Sequence, residues 1–198
     1  MRVYSRPKLE FLREHADRFG REVFIETGTL RGDTTHAMLP HFRQLYTIDI
    51  NERSYHKAKK RFARHAAITC LLGDSRNVLP RLLETIHEPV LFWLDAHNCG
   101  GKRRDGKIDV PIAEEIQAIL NHKCASDHVI LIDDAKLFTD WKEHADREHY
   151  THSYPHLDEL RRLILAHCPD WTVEDIMVHR RSNSRIIKAC NDNDATSR

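Results

Sequence analysis

Short apolar runs alternate along this chain with segments of helical periodicity. The first such segment places four apolar residues on one helix face: Leu9, Leu12, Ala16 and Phe19. Five strand-like runs follow, at residues 23–26, 45–50, 67–72, 90–94 and 129–132. Helix-start residues separate them, at Thr34, Asn51, Asp74-Ser75 and Pro111. Strands that alternate with helices form parallel βα units, so the pattern predicts a mostly parallel sheet with helices on both faces.

The last third of the chain follows a different pattern. One more amphipathic helix is predicted around residues 157–164, and two apolar runs, 172–178 and 185–190, follow it with a short polar segment between them. This spacing is typical of an antiparallel hairpin. The expected fold is therefore α/β, a doubly wound, Rossmann-like sheet of seven mostly parallel strands that ends in this hairpin.

Composition limits the possible partners. The chain has 198 residues, of which 40% are hydrophobic, and this suffices for one sizeable core. We expect a single domain over residues 1–190 and a disordered tail over 191–198. The 31 basic and 30 acidic residues nearly cancel, so no nucleic-acid partner is expected. The sequence has no apolar leader and no apolar run of membrane-spanning length, so no membrane association is expected either.

Cysteine and histidine spacing does not predict a structural metal centre. The five cysteines are scattered without a C-x-x-C pair, which predicts a reducing, cytoplasmic location without disulfides. The 15 histidines fall at irregular intervals that do not match the ligand spacing of a zinc site. Most of them are therefore expected to be surface residues.

The first strand ends in a glycine-bearing turn, Glu26-Thr27-Gly28-Thr29-Leu30-Arg31-Gly32-Asp33-Thr34. Gly28 and Gly32 lack a Cβ, which lets the backbone turn sharply and lie against a ligand. Asp33 is expected to cap the helix that follows. The strand end, the turn and the helix start then converge, and this favours a nucleotide-type cofactor site.

Acidic residues also follow the next two strands. Asp49 ends the second strand, where its carboxylate can accept hydrogen bonds from both hydroxyls of a ribose. Asp74 and Ser75 follow the third strand, where an acidic group can meet the amino edge of an adenine. A simple helix cap at Asp74-Ser75 is the alternative.

The turn excludes two common phosphate-binding motifs. Leu30 stands where the dinucleotide motif G-x-G-x-x-G requires its second glycine, and the sequence has no P-loop. The negative charge of Glu26 would repel a pyrophosphate but suits a cationic cofactor. S-adenosylmethionine, which carries a sulfonium and an α-amino group, meets that requirement.

Together these motifs resemble those of the class I S-adenosylmethionine-dependent methyltransferases, over nearly the whole chain. The family's E-x-G-x-x-x-G turn is matched by Glu26, Gly28 and Gly32, its ribose-binding acid by Asp49, and its adenine-side acid by Asp74. The family's sheet also ends in an antiparallel hairpin. The resemblance implies a set of cofactor contacts: Glu26, Thr27, Gly28, Thr29, Gly32, Thr34, Asp49, Ile50, Asp74, Ser75 and Asp95.

Three carboxylates follow the fourth and fifth strands. Asp95 comes after the fourth, and Asp133 and Asp134 come after the fifth. Adjacent parallel strands lie about 4.8 Å apart, so these side chains are placed to share one hard cation such as Mg²⁺. The alternative is that Asp133-Asp134 caps a turn and that Asp95 merely ends a strand.

This carboxylate set resembles that of the metal-dependent O-methyltransferases, most closely the macrocin-type sugar O-methyltransferases. The resemblance implies that Asp95, Asp133 and Asp134 bind a metal that holds two neighbouring hydroxyls of the acceptor and lowers the pKa of one. Asp95, His97 and Lys136 are the candidate general bases. The expected reaction is Mg²⁺-assisted methylation of a sugar or glycan hydroxyl. A catechol-like acceptor and a catalytically silent cofactor-binding module are the alternatives.

Two long connections, 96–110 and 135–154, leave the carboxyl ends of the fourth and fifth strands, where open α/β sheets bind their ligands. The first carries a basic cluster: Lys102, Arg103, Arg104 and Lys107. The second carries aromatic residues: Phe138, Trp141, Tyr150 and Tyr154. The cluster can clamp an anionic acceptor or lie in solvent, and the aromatics can stack on a ring or cover the core. With no lid domain inserted, the acceptor site is expected to be open, or completed by a second subunit or an attached domain.

Overall fold

The computed structural model describes residues 6–96, 110–139 and 154–194. The strands are β1 (Val23–Thr27), β2 (Gln44–Asp49), β3 (Ile68–Leu72), β4 (Val90–Leu94), β5 (Val129–Ile132), β6 (Thr172–His179) and β7 (Ser184–Cys190). The helices are α1 (Arg6–Phe19), α2 (Asp33–Met38), α3 (Glu52–Arg61), α4 (Ser75–Thr85), α5 (Ile112–Leu120), α6 (Lys136–Thr139) and α7 (Leu157–His167). One seven-stranded sheet joins the strands in the order β3-β2-β1-β4-β5-β7-β6.

This architecture confirms the predicted fold. β1 to β5 pair in parallel, whereas β7 runs antiparallel to both β5 and β6. β1 and β4 are neighbours, and the chain moves outward from this pair in opposite directions. Such a switch point opens a crevice at the carboxyl ends of the two strands, which is where α/β sheets bind ligands.

β4 shows why the sheet has a core on each face. All five of its residues are buried, because helices cover both sides of the sheet. Leu91 and Trp93 belong to one core, together with Leu12 and Phe19 of α1. The alternate residues Val90, Phe92 and Leu94 belong to the other core, beneath α4, α5 and α7. This alternation follows the two-residue period of a strand.

A histidine pair joins the amino-terminal ends of β4 and β5. The Val90 N–H donates to His128 Nδ1 (3.0 Å), so the proton of the His128 ring lies on Nε2 and is donated to His122 Nδ1 (2.8 Å). His122 Nε2 in turn donates to the carbonyl of Ile86 (3.0 Å). Burial lowers the pKa of His128 to about 3. His128 is therefore neutral, and the pair holds the two strand ends together.

The described chain continues past the domain boundary predicted at residue 190. Residues 192–194 form a 3-10 turn in which Asp192 accepts hydrogen bonds from Thr172 (2.7 Å), Lys188 (2.9 Å) and Arg18 (3.0 Å). The turn is thereby tied to β6, β7 and α1. The rest of the predicted tail, residues 195–198, lies outside the described residues.

None of the helices in the described segments combines the length and the apolar character that crossing a membrane requires. The longest of them, α1, has 14 residues and carries several charged side chains.

Candidate functional site

Backbone hydrogen bonds continue the sheet into the residues that the sequence singles out. The Gly28 N–H donates to the carbonyl of Ile48 (2.9 Å), and the Asp95 N–H donates to the carbonyl of Thr27 (3.0 Å). The Asp133 N–H donates to the last carbonyl of β4 (3.0 Å). The predicted cofactor turn and the carboxylates after β4 and β5 therefore lie along one edge of the sheet.

The turn after β1 has a backbone that only glycine fits well. Gly28 has a φ of +90°, and a Cβ on it would lie 2.4 Å from the backbone oxygen of Asp95. Gly32 has a φ of +71°, and a Cβ there would lie 2.6 Å from the ring of Phe62. The two glycines thus let the turn press against β4 on one side and the end of α3 on the other.

The prediction that Asp33 caps α2 is wrong. Gly32 occupies the N-cap position in a left-handed conformation, and Asp33 is the first helical residue. The Asp33 carboxylate instead accepts a hydrogen bond from Arg61 Nη1 (2.6 Å). A residue already inside the helix cannot adopt the extended backbone that a capping side chain needs. The negative charge of Asp33 in the first turn still stabilises α2, because it lies at the positive end of the helix dipole.

Glu26 lies in a buried chain of hydroxyl groups. Its Oε2 accepts hydrogen bonds from the hydroxyls of Thr35 and Thr47, the latter at 2.8 Å. The Thr29 hydroxyl lies 2.6 Å from that of Thr47 and completes the chain. Burial raises the pKa of Glu26 to about 7, although these hydrogen bonds oppose the rise. Near neutral pH both the protonated and the charged form of Glu26 are therefore populated, and a nearby cation would favour the charged form.

Two further threonines of the turn, Thr27 and Thr34, carry buried hydroxyls that lie close to the carboxyl groups of Glu115 and Glu26. Thr27 Oγ1 and Thr34 Oγ1 have no hydrogen bond of normal geometry to any of the described residues. Buried polar atoms are rarely left in this state. Both residues belong to the predicted cofactor contacts, so hydroxyls that lack a well-aligned hydrogen bond next to the glycine turn fit a site that a polar ligand completes.

Asp49 is fixed by the backbone around it. One carboxylate oxygen accepts the Leu30 N–H (2.8 Å) and the other accepts the Asn51 N–H (2.8 Å). The side chain is only 3% exposed. Each oxygen keeps a second lone pair, so the carboxylate can accept two further hydrogen bonds from a diol.

Apolar side chains surround Asp49. Leu30, Ile50 and Leu72 are 56%, 52% and 42% exposed, and they account for three of the five large apolar side chains found exposed among the described residues. Leu72 is the register partner of Asp49 in β3, and Ile50 follows Asp49 directly. A clustered, exposed apolar surface beside a fixed carboxylate suits the planar base of a nucleoside. Ile50 was predicted as a cofactor contact from the sequence, whereas Leu30 and Leu72 carry no sequence signal that points to this surface.

Asp74 is the N-cap of α4. Its Oδ1 accepts the Arg76 N–H (3.0 Å), and its Oδ2 pairs with the Arg76 guanidinium (2.6 Å). The hydrogen bond to Arg76 lowers the pKa of Asp74. The alternative of a simple helix cap is thus realised, and the contact to an adenine amino group stays a prediction. Ser75, the other predicted residue here, is buried.

Glu115 of α5 was missed by the sequence analysis. It is fully buried, and neither carboxyl oxygen has a hydrogen bond of normal geometry to the described residues, although the hydroxyls of Ser75 and Thr27 lie close by. Burial raises the pKa of Glu115 to about 7. The burial of Glu115 could have been predicted from its position in the helix. Together with Ile112, Ile116 and Ile119 it follows the i, i+3, i+4, i+7 spacing of a buried helix face.

The carboxylates after β5 contact a lysine. Lys8 Nζ of α1 lies 2.5 Å from the carboxylate oxygens of Asp133 and 3.8 Å from Asp134 Oδ1. Burial lowers the pKa of Lys8, but the charges of Asp133, Asp134 and Asp95 outweigh it and raise the pKa above its ordinary value. Burial raises the pKa of Asp133, and Lys8 opposes that rise. The direct contact and the raised pKa of Lys8 describe an ion pair of an ammonium with a carboxylate.

This arrangement does not fit the predicted divalent cation. The ammonium of Lys8 lies on the carboxylate that the metal would need. In the described segments, no group of three or more His, Cys, Asp or Glu side chains is arranged to hold a metal. Asp133 Oδ1 accepts the N–H of Asp134 (2.6 Å), whose φ is +52°. The alternative that Asp133-Asp134 caps a turn is therefore what the structure contains.

The other candidate acceptor residues fall into two groups. Asp95 is half-buried at the end of β4, and Lys136 is the partly buried first residue of α6. Phe138 and Tyr154 are buried, and their rings pack edge to face at 5.1 Å, so they cover the core. The remaining predicted residues lie outside the described residues: His97, Lys102, Arg103, Arg104, Lys107, Trp141 and Tyr150.

A cavity of about 560 Å³ lies elsewhere, between the carboxyl-terminal halves of α4 and α5. Pro80, Ile86, Gln117 and His122 are among the residues that line it. No residue of the predicted site lines this cavity, which lies toward the amino-terminal ends of the strands.

Comparison with solved structures finds this fold in methyltransferases. The O-methyltransferase TomG from Streptomyces achromogenes, solved with S-adenosylmethionine, has a TM-score of 0.70 and 19% identity, over 95% of this chain and 81% of TomG. The methyltransferase PaMTH1 from Podospora anserina, bound to S-adenosylhomocysteine, has a TM-score of 0.66 and 16% identity, over 95% and 79%. An O-methyltransferase from Bacillus cereus, also solved with S-adenosylhomocysteine, has a TM-score of 0.64 and 16% identity, over 95% of this chain and 82% of its own.

No protein-family model matches the chain, and no curated protein matches it. At such low identity, the likeness to solved structures establishes the fold. The chain has the Rossmann-like α/β fold of the class I methyltransferases.

Proposed function

We propose that this chain is an S-adenosylmethionine-dependent O-methyltransferase. The observation that carries the proposal is the Asp49 carboxylate, which two backbone N–H groups hold in place with lone pairs left for a ribose diol. Exposed Ile50 and Leu72 beside it offer apolar walls for an adenine. The same edge holds Gly28, where the turn packs too closely against β4 for any Cβ.

The methionine end of the cofactor is assigned to the turn after β1. The buried carboxylate of Glu26 favours the positive charge of the sulfonium and the α-amino group. The hydroxyls of Thr27 and Thr34, which form no hydrogen bond of normal geometry to the described residues, are the proposed partners of the cofactor's polar atoms. Asp74 and Ser75 stay the proposed adenine-side contacts, and they need Arg76 to release or share the Asp74 carboxylate.

The proposed reaction needs a base more than it needs activation of the methyl group. A hydroxyl oxygen of the acceptor attacks the methyl carbon, the carbon–sulfur bond breaks, and its electron pair stays on sulfur to give S-adenosylhomocysteine. The hydroxyl proton passes to a carboxylate, and the proposed base is Asp95, whose backbone lies against Gly28 at the cofactor edge. Lys136 and His97 are the alternative bases. No step is assigned to a metal, because Mg²⁺ assistance would require Lys8 to leave Asp133.

The proposed acceptor is a hydroxyl of a sugar or glycan. This choice rests on the resemblance to macrocin-type enzymes and on neighbouring carboxylates, Asp95 and Asp133, that can accept hydrogen bonds from adjacent hydroxyls. A small-molecule, catechol-like acceptor is the second candidate, favoured by the likeness to TomG, an O-methyltransferase of tomaymycin synthesis. A catalytically silent cofactor-binding module is the third.

Two measurements test the proposal. Calorimetric titration with S-adenosylmethionine is expected to show one site, which Asp49→Asn weakens about 10-fold or more, since a charge-assisted hydrogen bond contributes about 1.5–3 kcal/mol. Asp170→Asn, a change at an exposed acid far along the chain, is the matched control. Labelled cofactor is then offered with sugar diols and with catechols. Methyl incorporation into either class, lost in Asp95→Asn, supports the enzyme, and binding without any transfer supports the silent module. No binding at all refutes the proposal.

A further inference from the structure

We propose that Lys8 is the resident cation of the acceptor site and takes the place that a divalent metal occupies in metal-dependent O-methyltransferases. The observation is direct: the only cation that the described residues bring to Asp133 and Asp134 is the Lys8 ammonium, at 2.5 Å and 3.8 Å. The effect of Lys8 on methyl transfer rests on the function proposed above, whereas the position of its ammonium is independent of that proposal.

α1 delivers Lys8 to this place by rigid packing. Lys8 shares a helix face with Leu12, His15 and Phe19, at i, i+4, i+7 and i+11, and these three residues are buried. The Lys8 side chain is only 15% exposed. A lysine on a helix surface normally turns its head into water, so a buried head on a buried face reflects a specific partner.

The partner explains the burial. Asp133 is 3% exposed, and a buried carboxylate without a counter-charge is strongly unfavourable. A metal ion and an ammonium are two solutions to the same requirement, and they exclude each other because both need the Asp133 oxygens. Lys8 comes from 125 positions earlier in the chain, so this solution is part of the fold and does not depend on a metal supply.

The ammonium also suits the proposed chemistry. It has three N–H donors, and its nitrogen lies 2.5 Å from the Asp133 oxygens. In the proposed reaction, another of its N–H groups donates to the acceptor oxygen as the acceptor's proton leaves, and a fixed cation there favours the developing negative charge. Lys8 is therefore a positioning residue whose charge orders the carboxylates and the acceptor.

The test is a metal-binding measurement that needs no enzymatic activity. Mn²⁺ is titrated into the wild-type protein and into Lys8→Met, and bound metal is followed by electron paramagnetic resonance. Lys8→Met takes the competing ammonium away from Asp133 and Asp134, so this variant is expected to bind Mn²⁺ at least about 10-fold more tightly than the wild type, with a higher melting temperature when Mg²⁺ is added. Lys8→Arg, which keeps the charge, and Arg13→Met, on the exposed face of α1, are expected to behave like the wild type.

Tight Mn²⁺ binding by the wild-type protein that is lost in Asp133→Asn overturns the proposal, and this arm does not require any Lys8 variant to fold. An equal Mn²⁺ affinity in folded Lys8→Met and wild type overturns it as well. Where an acceptor is known, wild-type methyl transfer is expected to survive chelation, whereas Lys8→Met is expected to need Mg²⁺. If no acceptor is ever methylated, the proposed function fails, while the Mn²⁺ titration still decides the role of Lys8.

Discussion

Glu115→Gln is expected to stabilise the protein at alkaline pH and to leave its stability nearly unchanged in acid. Glu115 is fully buried, has no hydrogen bond of normal geometry to the described residues, and has a pKa raised from 4.5 to about 7. Between these two pH values, the folded protein keeps a proton that the unfolded chain releases. The free energy of unfolding of the wild type therefore falls as pH rises from 4.5 to 7 and is level above.

The size of the effect follows from the pKa. A rise from 4.5 to about 7 corresponds to about 3 kcal/mol, because one pKa unit is worth about 1.4 kcal/mol. Glutamine keeps the shape of the side chain but does not titrate. Glu115→Gln is thus expected to be about 3 kcal/mol more stable than the wild type at pH 8, with the difference shrinking toward zero near pH 4.5.

Urea denaturation from pH 4.5 to 8 measures this difference directly. Glu26, whose pKa is also raised to about 7, titrates in both proteins and cancels when their unfolding free energies are subtracted. Glu114→Gln, at the exposed neighbouring position, is the control and is expected to show a small difference that does not vary with pH. A Glu115→Gln difference that stays constant across the range would refute the reasoning, since it would mean that Glu115 does not titrate within it.

Three further predictions follow from single contacts. Gly28→Ala is expected to destabilise the protein by at least about 2 kcal/mol and to abolish S-adenosylmethionine binding, because the new Cβ meets the Asp95 backbone at 2.4 Å; Gly20→Ala, which shares a positive φ away from the site, should retain binding in the same titration. As pH increases toward 7 and Glu26 becomes charged, the affinity for S-adenosylmethionine is expected to rise by up to about tenfold per pH unit, and above pH 7 it should level off. In Glu26→Gln, the affinity measured by calorimetry should no longer depend on pH in this range. The same slope in the variant as in the wild type would contradict the role of Glu26. Because the pKa of His128 is lowered to about 3, the free energy of unfolding is expected to fall by up to about 1.4 kcal/mol per pH unit as pH decreases below 6.5. This slope should be absent in His128→Gln. A variant whose unfolding free energy falls in parallel with the wild type would contradict the role of His128.

The fold could be predicted because each element carries its own local pattern. The apolar run of β4 and the helical spacing in α1 are complete within a few residues, and the structure contains both where the sequence places them. The cap of α2 could not be predicted in the same way. Gly32 holds that position because its backbone packs against Phe62, 30 residues further along the chain, and this contact exists only after α3 has docked.

Lys8 and Glu115 show a second limit of sequence patterns. Both lie on helix faces that apolar spacing assigns to the core. A charged residue at such a position either has a partner of opposite charge or lowers the stability of the fold. The sequence cannot say which, because the partner is supplied by a distant strand. The structure separates them: Lys8 meets Asp133, whereas Glu115 meets no partner of normal geometry among the described residues. Removing the charge therefore has opposite expected effects: a loss of stability in Lys8→Met, which takes the ammonium away from the buried Asp133 carboxylate, and a gain in Glu115→Gln.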